Sequence, residues 1–182
     1  MVRLKEHPRV AVVGLGNVLL TDDGVGVHAV RKLKDNAPAG ITVAEIGTAV
    51  LGALELFENT GIIIAIDSVK AGGPPGSVYC LDIEDVCVSG GISAHDHGVS
   101  AALHHLPAES RPQVVILGVE PDVVACGMEL SPKVRAVLPR VVEIASVMAE
   151  QAMKYEKGVL CPEIPGIEDG NLQQWEFKHE EI

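Results

Sequence analysis

Asp23, Asp67 and His95 are the side chains whose types and positions could do chemistry together. Two carboxylates and an imidazole make a hard-to-borderline ligand set that suits nickel, zinc or a similar ion and leaves coordination positions open for ligands from elsewhere. Asp22 and Asp23 are adjacent and stand immediately before a helix, whose positive end favours negative charge. A helix cap uses one side chain, so Thr21 or Asp22 is read as the cap on the N–H groups near Gly24, and Asp23 is left to point elsewhere. Asp67 ends an apolar run at the kind of sheet edge where ligands sit, although a strand-ending Asp is also a common turn former. His95 lies in Ser93-Ala94-His95-Asp96-His97-Gly98, a loop entering a helix. His97, His104 and His105 are rivals by type; the last two are neighbours on a helix and point in different directions, so they are read as surface or satisfied histidines.

Other chemistries have less support. Gly14-Leu15-Gly16-Asn17 resembles the start of a dinucleotide-binding turn, but Leu19 stands where the third glycine would be. The chain has no Gly-x-Ser-x-Gly elbow and no His-Glu-x-x-His helix. Cys80, Cys87, Cys126 and Cys161 form no Cys-x-x-Cys pair and sit in no plausible Cys-His context, so they are expected to be reduced and mostly buried thiols.

The elements that must position these groups can be read from periodicity. Val10 to Val13 make a buried strand, and Val25, Ala29, Val30 and Leu33 recur at helical spacing after it. Ile41 to Ile46 and a helical segment through Leu51, Leu54 and Phe57 form a second unit; Ile62 to Ile66 is the run expected of a central parallel strand. The strand at Ser77 to Leu81 follows a connection too short for a parallel crossover and should run antiparallel to its predecessor. A helix carrying Val99, Leu103 and Leu106, the strand Val114 to Leu117, and a long helix opened by Ser131-Pro132 complete the pattern. The fold class expected is α/β: a three-layer α/β/α arrangement on a mostly parallel, twisted sheet of about five strands with one antiparallel strand. Residues 1–155 are expected to form one domain, and 156–182, with seven acids against two lysines, an acidic tail whose Trp175 and Phe177 favour docking somewhere.

The formal net charge of −11 makes nucleic acid an unsuitable partner. No apolar run approaches the roughly 18 residues of a membrane span, and Met1 to His7 lacks a signal-peptide core, so a cytoplasmic protein with no membrane partner is expected.

Gly14-Leu15-Gly16-Asn17, followed by Asp22-Asp23-Gly24-Val25-Gly26, resembles the opening signature of the [NiFe]-hydrogenase maturation endopeptidases, G-x-G-N and then D-[DE]-G-x-G. The likeness continues in order through Ile66-Asp67-Ser68-Val69, Gly72-Gly73-Pro74-Pro75-Gly76, Ser93-x-His95 with Gly98, Gly118-Val119-Glu120-Pro121 and Glu129-Leu130-Ser131-Pro132. It covers roughly residues 8 to 155. The resemblance implies a protease that removes the carboxy-terminal extension of a hydrogenase large-subunit precursor after nickel insertion. It maps the family's metal-site positions to Asp23, Asp67 and His95, both as catalytic and as metal-contacting residues. It further implies no resident cofactor, because the substrate supplies the nickel. Two alternatives remain open at this point: a non-catalytic nickel-sensing chaperone that binds the same precursor, and a nucleotide-binding enzyme built on the Gly14 turn. The tail beyond Tyr155 has no counterpart in the common core, and the oligomeric state is not readable from the sequence.

Overall fold

Six consecutive buried residues, Val10–Leu15, form β1 in the interior of a sheet, where only small or apolar side chains fit on either face. The computed structural model describes residues 9–83, 96–154 and 172–174; most of the expected acidic tail therefore lies outside the described residues. After β1 come a 3-10 turn at Thr21–Gly24, α1 (Val25–Lys34), β2 (Ile41–Gly47), a 3-10 turn at Val50–Ala53, α2 (Leu54–Glu58) and β3 (Ile62–Ser68). Then follow β4 (Val78–Asp82), α3 (Asp96–His105), β5 (Gln113–Val119), α4 (Pro132–Ala152) and the short β6 (Leu172–Gln174).

The strand order is β2-β1-β3-β5-β4-β6. β1 pairs in parallel with β2 and β3, and β3 with β5, whereas β4 lies antiparallel to β5. The five expected strands are all present, and the short link after β3 does reverse the chain. It does not make a hairpin, however, because β5 inserts between β3 and β4. The reason is burial: β5 is apolar on both faces for six residues and belongs inside the sheet. β6, three residues paired in parallel with β4, adds a strand that no periodicity announced.

Helices cover both faces. α1 and α4 pack over Val12, Ile64, Ile66 and Leu117, and Phe57 of α2 with Val99 and Ala102 of α3 over Val13, Ile63, Ala65 and Ile116. α4 begins as its sequence dictates, with Ser131 Oγ accepting from the Val134 N–H at 3.4 Å and Pro132 in the first turn. Its stripe of Val134, Leu138, Val141, Ile144, Ala145, Met148 and Ala152 is buried, each larger aliphatic contributing about 1.5–3 kcal/mol. The segment around Leu51 departs from expectation. A 3-10 turn precedes a helix of five residues, so Val50 and Phe57 face the core and Leu51 is exposed.

Candidate active site

The carboxyl ends of β1 and β3 are brought under the start of α1 by two glycines. At Gly16, φ is +105°, a conformation that glycine adopts without penalty, and a Cβ there would overlap the Asp23 carbonyl oxygen. At Gly26, a Cβ would overlap the Ile66 carbonyl oxygen, so only glycine lets the first turn of α1 lie directly on β3. Asp23 and Asp67 consequently sit at one sheet edge, the 3-10 turn that carries Asp23 packing on the strand that carries Asp67. Asp67 is fully buried, and its Oδ1 accepts from the Ser68 N–H at 2.8 Å. Asp23 is half-buried, and its Oδ2 accepts from the Asn17 N–H at 2.8 Å, tying the loop after β1 to the turn before α1.

Asp22 and Thr21 do not cap α1; no side-chain cap occurs at that helix or at the turn before it. Asp22 is instead a fully buried clamp on a loop a hundred residues away. Its Oδ2 accepts from the N–H groups of Asp122 at 3.0 Å and Val123 at 2.9 Å, and its Oδ1 from that of Ser131 at 2.7 Å. A carboxylate capping a helix would also make charge-assisted bonds, but to one or two N–H groups, whereas the distant loop offers Asp22 three. Thr21 joins in: its hydroxyl donates to the Val123 carbonyl at 2.6 Å and accepts from the Ala125 N–H at 3.1 Å. The same residue is held at φ 46°, a left-handed conformation costing a β-branched residue about 1–3 kcal/mol, which the clamp offsets. The cap expected of Asp22 is thus replaced by a clamp, and the two adjacent acids accept from different loops.

Glu120 was not singled out by residue chemistry, although it lies within the Gly118 to Pro121 stretch. Its buried carboxylate accepts from the N–H groups of Ala71 at 2.9 Å, Gly72 at 3.4 Å and Gly73 at 3.3 Å, and from the Tyr79 hydroxyl at 2.9 Å. Burial first, and then the bond to Glu120, hold the Tyr79 phenol above its ordinary pKa, so it stays a donor. Glu120 thereby fixes the glycine- and proline-rich loop that follows Asp67. An acid directly after a buried strand and directly before a proline was the available signal.

His95 lies outside the described residues, as do Cys87 and Cys161. Among the described residues no three His, Cys, Asp or Glu side chains converge as a metal site; the two carboxylates at the edge are the described part of the expected set. α3 begins at Asp96, and its Gly98 lies against Val50, in the 3-10 turn that follows β2. At the other end of that helix His104 and His105 are exposed, and His104 Nδ1 is 2.8 Å from the Ser100 carbonyl oxygen. Cys80 is buried and Cys126 exposed. The Gly14 turn is filled rather than open, since the Asp23 backbone abuts Gly16 and the Asp23 carboxylate already takes the Asn17 N–H that an anionic phosphate would need.

A family profile described as hydrogenase maturation protease, HycI, matches residues 27–147, a stretch that holds Asp67 and His95 and begins just after Asp23. The hydrogenase expression/formation protein HupD of Rhizobium leguminosarum bv. viciae is 30% identical over 154 residues, covering 76% of this chain and 72% of that protein. Among solved structures, the hydrogenase maturating endopeptidase HybD from Escherichia coli superposes with a TM-score of 0.71 at 26% identity, over 79% of this chain and 93% of that one. The [NiFe] hydrogenase maturation protease HybD from Thermococcus kodakarensis gives 0.67 at 31% identity, over 78% and 99%.

Proposed function

The chain belongs to the hydrogenase maturation proteases, peptidases of the hydrolase class, and from that premise we propose that it removes the carboxy-terminal extension of a [NiFe]-hydrogenase large-subunit precursor once nickel has been inserted. The observation that carries this reading is a fully buried Asp67 at the carboxyl end of β3, on the sheet edge shared with Asp23. Two carboxylates at one sheet edge, the place where ligands sit in open α/β folds, make a concentration of negative charge that suits a substrate-borne cation.

In this reading the nickel arrives as part of the substrate. Asp23, Asp67 and His95 fill positions that the precursor leaves open on the ion, and the enzyme carries no cofactor of its own. Three ligands of these types suit a divalent ion of intermediate hardness. Their engagement fixes the scissile peptide beside the edge, which converts a bimolecular encounter into an oriented one. Water then adds to the peptide carbonyl, one of its protons passing to an edge carboxylate and on to the leaving amine as the C–N bond breaks. Asp23 and Asp67 are the two candidates for that proton. Glu120 acts through the loop after Asp67 and is a positioning residue.

The test is to incubate the purified chain with nickel-loaded precursor and weigh the products. Loss of the carboxy-terminal extension supports the reading. An intact precursor held in a tight complex contradicts it and favours a chaperone.

A further inference from the structure

We propose that Leu19, Val123, Val124 and Met128 form a rigid apolar platform that binds uncharged, apolar residues of the precursor polypeptide beside the cleaved bond, an inference that rests on the endopeptidase reading. These four side chains are 58%, 45%, 42% and 64% exposed. Leu51 is the one other large hydrophobic so exposed among the described residues, which makes the clustering of four on two joined loops unusual.

The two loops are bound backbone to backbone. The Thr21 N–H donates to the Gly127 carbonyl at 2.7 Å, the Gly127 N–H to Leu19 at 2.9 Å and the Asp22 N–H to Val123 at 3.2 Å. With the Asp22 carboxylate and the Thr21 hydroxyl added, the backbone beneath the apolar side chains is fixed before anything binds. Burying apolar groups on a surface that need not be ordered first avoids an entropic cost of association.

Position and charge identify the occupant. Asp22, which clamps the platform, is followed by Asp23, and the Asn17 N–H that Asp23 accepts belongs to the loop carrying Leu19, so the platform is continuous with the catalytic edge. The charged side chains next to Val123 and Met128 in the chain are paired, Asp122 with Lys133 at 2.9 Å and Glu129 with Arg135 at 2.7 Å. A segment bearing no charge therefore meets apolar surface without leaving an ion unpaired. For a peptidase, the polymer that must lie across this edge is the polypeptide being cut.

The experiment compares full-length wild type with Val124→Asp and Met128→Ser on purified nickel-loaded precursor. Because both side chains face solvent, the melting temperature should not move. The platform predicts KM raised about tenfold or more with kcat nearly unchanged, the signature of lost binding shared by ground and transition states, and near-normal KM in Met128→Leu. Wild-type KM in both polar variants overturns the proposal. A lowered solution mass on sedimentation with KM unchanged assigns the platform to a second copy of the chain and overturns it equally. If the wild type leaves the precursor whole, the endopeptidase reading falls separately, and calorimetric affinity for the precursor decides: about tenfold weaker binding by the variants sustains the platform, unchanged affinity removes it.

Discussion

Asp22 and Asp23 accept from different loops, and substitution separates their proposed roles. Asp23→Asn, Asp67→Asn and His95→Ala should each slow precursor cleavage about 100-fold or more, since loss of an orienting ligand misplaces the reacting groups. His105→Ala, at the far end of α3, should cleave normally; normal cleavage by Asp67→Asn would overturn the assignment. Asp22→Ala acts elsewhere. It leaves the N–H groups of Asp122, Val123 and Ser131 without their acceptor, so urea unfolding should show a loss of about 2–4 kcal/mol. A loss under ~0.5 kcal/mol would refute the clamp. The placement of Asp23 and Asp67 at one sheet edge was legible because one abuts a helix and the other ends an apolar strand. The sequence misassigned Asp22 because a helix cap and a clamp on a distant loop have the same local signature. Only the partner, a hundred residues on, tells them apart.

At the scale of elements, the contact of α1 with β3 sets where Asp23 stands. Gly26→Ala would push a methyl group into the Ile66 carbonyl, costing about 1–3 kcal/mol by overpacking. Because the shift moves the Asp23 turn, cleavage should fall more than stability alone explains; an Ala variant that folds and cuts like wild type contradicts this packing. The neighbouring loop shows why sequence stops short at this scale. Val78 to Asp82 reads as a strand that reverses direction, and it does, but nothing local to it reveals that β5 will lie between it and β3. Strand order is decided by which run can be buried on both faces, a comparison between segments rather than a property of either. Glu120 shares this difficulty, its role resting on backbone donors 47 to 49 residues away.

At the scale of the whole molecule, acid should weaken the fold through His28. Burial of the ring first, then the Arg31 charge, hold this imidazole below its ordinary pKa of 6.5, and its Nε2 is buried with no hydrogen-bond partner among the described residues. The unfolded chain therefore takes up the proton first as pH falls. His28's contribution is complete above about 6.5 and is lost as the pH drops through the lower, folded-state value. The urea midpoint of the wild type should fall between pH 7 and pH 5, and His28→Gln should lose less over the same interval; equal losses would exclude His28 as a source. Among the described residues no helix is long and apolar enough to cross a membrane. The layered fold was the most legible property of all, because runs such as Ile62 to Ile66 and the stripe of α4 each admit one burial pattern. β6 was not legible, its three residues carrying no alternation that marks a strand.

If nickel is the signal read by Asp23, Asp67 and His95, cleavage depends on the metal in the precursor. Matched samples of the same precursor, one nickel-loaded and one nickel-free, are incubated with the wild-type chain, and the carboxy-terminal mass loss is followed over time. The loaded precursor should be cleaved and the nickel-free one should stay intact. Equal rates in the two samples would contradict the reading of nickel.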